Sequence, residues 1–192
     1  MYKASLTMAI LGTFSMSLIA AKPVNQGHGK VNFIGEIVNS PCSINPESID
    51  QTVDLGQIAN VSLKDGGTSS ARTFTIQLED CDFSEQSAST APIGAGIKLT
   101  FTGSEAAFGN LLGVTGFEHS EATKGQNVGI QINDANNSQV FMGTPIDLKN
   151  SLQEGSNTLL FTSYLRGKAA SKLSDIPLGN FYGVTNFTID YQ

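Results

Sequence analysis

Histidine is scarce in this sequence: His28 and His119 are the only two among 192 residues. A Ser-His-Asp arrangement would have to rest on one of them, and neither lies near a G-x-S-x-G nucleophile elbow. Both are expected to be solvated loop residues. Zinc-ligand spacing is missing as well, because the histidines stand far apart and the chain has only two cysteines, Cys42 and Cys81. Glycine-rich phosphate loops do not occur. No catalytic residue, cofactor, metal site or small-molecule substrate is therefore expected, and a secreted hydrolase is disfavoured.

Positive charge is the next shortage. Eleven Lys and Arg face 17 Asp and Glu, a formal net charge of −6, so no basic stripe is available to neutralise phosphates and nucleic acid is not an expected partner. Long apolar runs are also lacking. The one uncharged run of note covers residues 6–21, 16 residues against the roughly 20 needed to cross a bilayer. It follows Lys3 and ends in Ala20 and Ala21 before Lys22 and Pro23, which is the pattern of a cleaved secretory signal. Removing residues 1–21 leaves 192 − 21 = 171 residues, enough for one domain, and takes the charge to −7 with the loss of Lys3. An exported chain meets an oxidising compartment, so Cys42 and Cys81 are expected to pair. The loop they close, 81 − 42 = 39 residues, is worth roughly 4 kcal/mol in the chain-entropy model.

What the chain does have is period-two alternation. Short runs rich in β-branched and aromatic residues recur as VNFIGEIV (31–38), QTVDLGQI (51–58), RTFTIQLE (72–79), IKLTFT (97–102), NVGIQIND (127–134), QVFMG (139–143), NTLLFTSYLR (157–166) and GVTNFTIDYQ (183–192). Turn clusters such as KDGGTSS and SLQEGSN separate them. No segment carries a helical stripe. The expectation is an all-β antiparallel sandwich or barrel of immunoglobulin-like size. NDANNS (133–138) is rich in oxygen but lacks the spacing, central glycine and distal glutamate of a calcium loop, so it reads as a turn. The acidic EDCD around Cys81 reads as a solvated strand end. Sequons at Asn60, Asn136 and Asn186 matter only in a host that glycosylates them.

The two ends carry the functional signal. Gly29, Val31, Phe33, Gly35 and Ile37 fall on one face of an alternating strand, with Lys30, Asn32 and Glu36 opposite. At the other terminus Phe181, Gly183, Thr185, Phe187, Ile189 and Tyr191 share a face. The segments GKVNFIGEIVNSPCSI, SIDQTVDLGQI, FTIQLEDCD, NVGIQI, NTLLFTSYLRG and NFTIDYQ, with Tyr191 penultimate and Gly179 fourteenth from the end, resemble the type 1 fimbrial major subunits of chaperone–usher pili. The likeness is weakest over 82–126, and Pro41 before Cys42 departs from the pattern.

That resemblance implies an incomplete immunoglobulin-like (pilin) sandwich lacking its last strand, completed in trans by donor-strand complementation. It implies a signal peptide over 1–21, a donor extension over 22–34 and a pilin domain over 35–192. Gly29, Val31 and Phe33 would be the donor-strand residues. Gly179, Phe187, Ile189 and Tyr191 would form the acceptor groove and chaperone-binding strand. Implied partners are other pilin subunits in a head-to-tail polymer, a periplasmic chaperone and an outer-membrane usher. The chain would be exported through the periplasm to the cell surface, where the fimbria supports adhesion. A minor or tip subunit with a ligand-binding surface in 82–127 is the alternative, although 171 residues leave no room for a separate adhesin domain.

Overall fold

The computed structural model describes residues 27–84, 96–117, 124–148 and 151–191. The expected signal peptide, His119 and the first residues of the donor segment lie outside them. The chain divides into two units, Met1–Ile37 and Val38–Gln192. In the first, residues 27–37 are exposed and form no ladder among the described residues. Phe33 is 92% exposed and Ile37 fully so.

The second unit is built on two antiparallel sheets. One has the order β1-β2-β7-β5, from β1 (Ser43–Ile44), β2 (Arg72–Cys81), β7 (Gly155–Gly167) and β5 (Val128–Asn133); the other, β6-β3-β9, is made from β6 (Ile146–Asp147), β3 (Lys98–Gly103) and β9 (Thr185–Asp190). A two-residue ladder joins β4 (Thr115–Gly116) to β8 (Phe181–Tyr182). The one α-helix among the described residues, α1 (Pro46–Ile49), is capped by Asn45, whose side chain accepts from the Glu47 N–H.

Alternation dictates which side chains go inside. Along β7, Asn157, Leu159, Phe161, Ser163 and Leu165 are buried while their neighbours are not. Ile76 and Leu78 of β2 and Leu99 and Phe101 of β3 are completely or almost completely buried. Four phenylalanines connect the two sheets: Phe74 stacks on Phe161 at 5.4 Å, and Phe101 meets Phe161 edge-on at 5.1 Å and Phe187 at 6.4 Å. Such pairs add roughly 0.5–1.5 kcal/mol each beyond area burial. β5 is buried on both faces, because Gly129 lies against Ala106 and Leu111 while Gln131 and Asn133 hydrogen-bond each other at 2.9 Å.

Cys42 and Cys81 form the expected disulfide, buried beside the ladder that pairs Ser43 with Glu79. β2 slips register between Leu78 and Cys81, with Asp80 at φ 51°, so that Leu78 and Cys81 can both face inward although three positions apart. The segment over 133–138 is a turn: Asp134 Oδ1 accepts from the N–H groups of Asn136 and Ser138.

Five of the expected strands form, over 72–81, 98–103, 128–133, 155–167 and 185–190. QVFMG does not become a strand. Gln139 makes a single bridge to Asn133 and the chain then turns at Gly143, although Val140 and Met142 are buried. QTVDLGQI forms no ladder among the described residues either, and that is where the functional geometry begins.

Candidate functional site: an open sheet edge

β9 pairs with β3 along its whole length, from Thr185 against Gly103 to Asp190 against Lys98. Its other edge has no ladder partner among the described residues. Backbone groups on such an edge are free to pair with another strand. The side chains match that picture. Asn186, Thr188 and Asp190 are exposed, whereas Thr185, Phe187, Ile189 and Tyr191 are only half-buried. The direct β3 partners of Ile189 and Phe187, Leu99 and Phe101, are sealed. The same apolar face is thus covered on the β3 side and uncovered on the other. Tyr191 adds a second sign of incompletion: its hydroxyl is buried without a hydrogen-bond partner among the described residues, a state that costs about 1–3 kcal/mol.

Residues 51–58 repeat the pattern. Val53, Leu55 and Ile58 are half-buried, Leu55 and Ile58 against the core, while Asp54 and Gly56 face out. The stretch is held at its start by the Gln51 side-chain amide, which donates to the carbonyls of Ser48 at 3.1 Å and Thr75 at 2.9 Å. A cleft of about 470 Å³ separates residues 51–54 from residues 72–75 of β2, where Phe74 is half-buried. The alternation of Val53 and Leu55 is plain in the sequence. It reads there as an ordinary strand, because nothing local says that the neighbour is missing.

The other expected site residues fall as follows. Phe187, Ile189 and Tyr191 share the half-buried face at β9. Gly179 is in the turn ahead of β8 at φ 115°, a conformation that favours glycine, and is exposed. It is not on β9. Gly29, Val31 and Phe33 belong to the first unit, where Val31 is 74% exposed. His28 is exposed. In the acidic run, Glu79 accepts from the Asn45 amide at 2.6 Å, and Asp82 is held below the usual carboxylate range by the Ser84 hydroxyl and then by the Ser84 N–H. No group of three or more metal-ligating side chains occurs among the described residues, and no helix there is long and apolar enough to cross a membrane.

Residues 31–192 match the family described as Fimbrial protein. Fimbria A protein of Serratia marcescens is 40% identical over 186 residues, covering 96% of each chain. The major MR/P fimbria protein of Proteus mirabilis is 38% identical over 189 residues, covering 96% of this chain and 97% of its own. Among solved structures, a chaperone–usher pilus analysed for rod uncoiling superposes with a TM-score of 0.70 at 30% identity, over 90% of this chain and all of that one. The chain belongs to the fimbrial protein family and is a structural subunit of a chaperone–usher fimbria, with the immunoglobulin-like pilin fold.

Proposed function

We propose that this subunit builds the fimbrial shaft by lending its own amino-terminal strand to the next copy, and that it does no chemistry. The observation that carries the reading is a pair of complementary deficits in one sequence. A sheet edge at β9 has a half-covered apolar face, and residues 29–37 form an alternating apolar segment with no ladder partner among the described residues. Strand addition satisfies both, with backbone bonds giving affinity and alternate side chains giving specificity. Val31 and Phe33 are the anchors and Gly29 the small residue of the donor. Phe187, Ile189 and Tyr191 line the acceptor, and residues 51–58, half-buried in the same alternating way, are a second stretch of backbone that a donor strand can satisfy.

The magnitudes are adequate. Burying Val31 and Phe33 contributes roughly 1.5–3 kcal/mol each, and each ladder hydrogen bond about 0.5–1.5 kcal/mol net. A donor at one place and an acceptor at another form a heterologous contact, which propagates into a filament instead of closing. Before assembly the same edge needs a temporary strand, the task of a periplasmic chaperone, and an outer-membrane usher is where one strand is exchanged for another. Deleting residues 22–33 from the secreted protein should abolish fibres seen by electron microscopy. Fibres of normal length would end this reading.

A further inference from the structure

The scarce positive charges are not spread evenly over the sandwich. Lys64, Arg166, Lys168 and Lys172 gather at one end of β7. The backbone ties them together: Gly66 N–H donates to the Lys168 carbonyl, Asp65 N–H to that of Ser171, and Thr68 bridges Arg166. Asp65 and Asp175 also lie at this end, and each accepts a backbone N–H, Asp65 from Ala170 and Asp175 from Lys172. Lys64, Lys168 and Lys172 are exposed. At the opposite end of β7 sit Glu47, Glu79, Asp80, Asp82 and Glu154, brought together by the Cys81–Gly155 pairing, the Asp82 bond to Pro41 and the Asn45 bond to Glu79. Residues 43–50, 79–84 and 151–156 hold no lysine or arginine. The 13 residues of β7 put about 40 Å between the two ends.

Taking strand donation as given, we infer that neighbouring subunits dock acidic end to basic end, the donating copy presenting its acidic end to the basic end of the receiving copy. The partner is a second copy of this chain, and the arrangement follows from connectivity. The donor segment enters the sandwich unit at Val38, four residues before Cys42, which lies in the acidic end. Wherever a donor leaves its neighbour, that acidic end must follow. β9 begins on the basic half, since Gly183 touches Ile130, which pairs with Leu165, and finishes at Asp190 beside Lys98 and Asp147. A donor running antiparallel to β9 emerges at the basic half and one running parallel emerges at the other end, so only the antiparallel direction lets the opposite charges meet. Two copies of the chain starting at Lys22, each with formal net charge −7, repel at long range; segregation of the charge turns the contact attractive in this one orientation.

The test is fibre growth by the chain starting at Lys22, followed by light scattering at about 10 mM and about 1 M salt, where the Debye length is about 30 Å and 3 Å. Lys168→Glu with Lys172→Glu should slow growth about tenfold at low salt, as should Glu47→Lys with Asp82→Lys. Mixing the two variant chains keeps like charges apart at the mixed contacts, and combining all four substitutions in one chain should restore growth to within about threefold. At high salt the differences should vanish. Wild-type growth by each two-site variant at low salt, or additive losses in the four-site chain, overturns the inference. Uptake of a peptide of residues 22–37, which carries no acidic end, should be unchanged in the basic-end variant; an equal slowing there would also overturn it. Failure of the wild-type chain to take up that peptide would instead count against strand donation, leaving the charge exchange to be read from growth alone.

Discussion

Gly167 shows how little room individual residues have where β7 ends. A Cβ built there would lie 1.8 Å from the Leu63 carbonyl oxygen, and one at Gly67 would lie 2.1 Å from that of Ser62. These are backbone atoms that cannot swing aside. Gly167→Ala should therefore destabilise the sandwich by about 3 kcal/mol or more, measurable by denaturant unfolding of the donor-complemented chain. The requirement at Gly167 is not legible in the sequence, because close approach between residues 167 − 63 = 104 positions apart leaves no local mark. Side-chain alternation does leave one. The inward placement of Phe187, Ile189 and Tyr191 was readable from the order of residues alone, and the structure adds that they are half-covered.

The five long strands were legible as elements, since each carries enough alternating residues to fix a face. The two-residue ladders of β1, β4, β6 and β8 were not, because tertiary packing and not local preference makes them. QTVDLGQI failed as a strand for a different reason: its pattern is sound, but a strand exists only with a neighbour, and none pairs with it among the described residues. The covalent link is the firmest element. Cys42–Cys81 anchors β1, whose ladder is only two residues long. Replacing both cysteines by serine should lower stability by roughly 4 kcal/mol in the donor-complemented state, seen as a lower denaturation midpoint with a somewhat steeper slope, since the unfolded chain without the cross-link exposes more surface.

For the whole molecule, strand donation as proposed above makes the sandwich a fold whose lowest free energy is reached between copies and not within one. Its core of buried residues on β2, β3, β5 and β7 is closed by phenylalanine contacts, while the β9 edge and residues 51–58 stay half-finished. That unevenness predicts uneven local stability, with the edge opening far more readily than the interior. The family was legible in the sequence because the two ends of the chain carry their alternation in adjacent residues; the segregation of charge along β7 was not, because it depends on which turns the fold brings together.

On the proposed reading the sandwich lacks one strand and residues 22–37 supply it. Amide hydrogen exchange on a chain beginning at Val38, with and without that peptide, tests it most directly. The account predicts that amides of residues 51–58 and 185–190 exchange rapidly alone and gain strong protection when the peptide is added, while those of β7 change little. Protection of both edges before any peptide is present, unaltered by its addition, would contradict it.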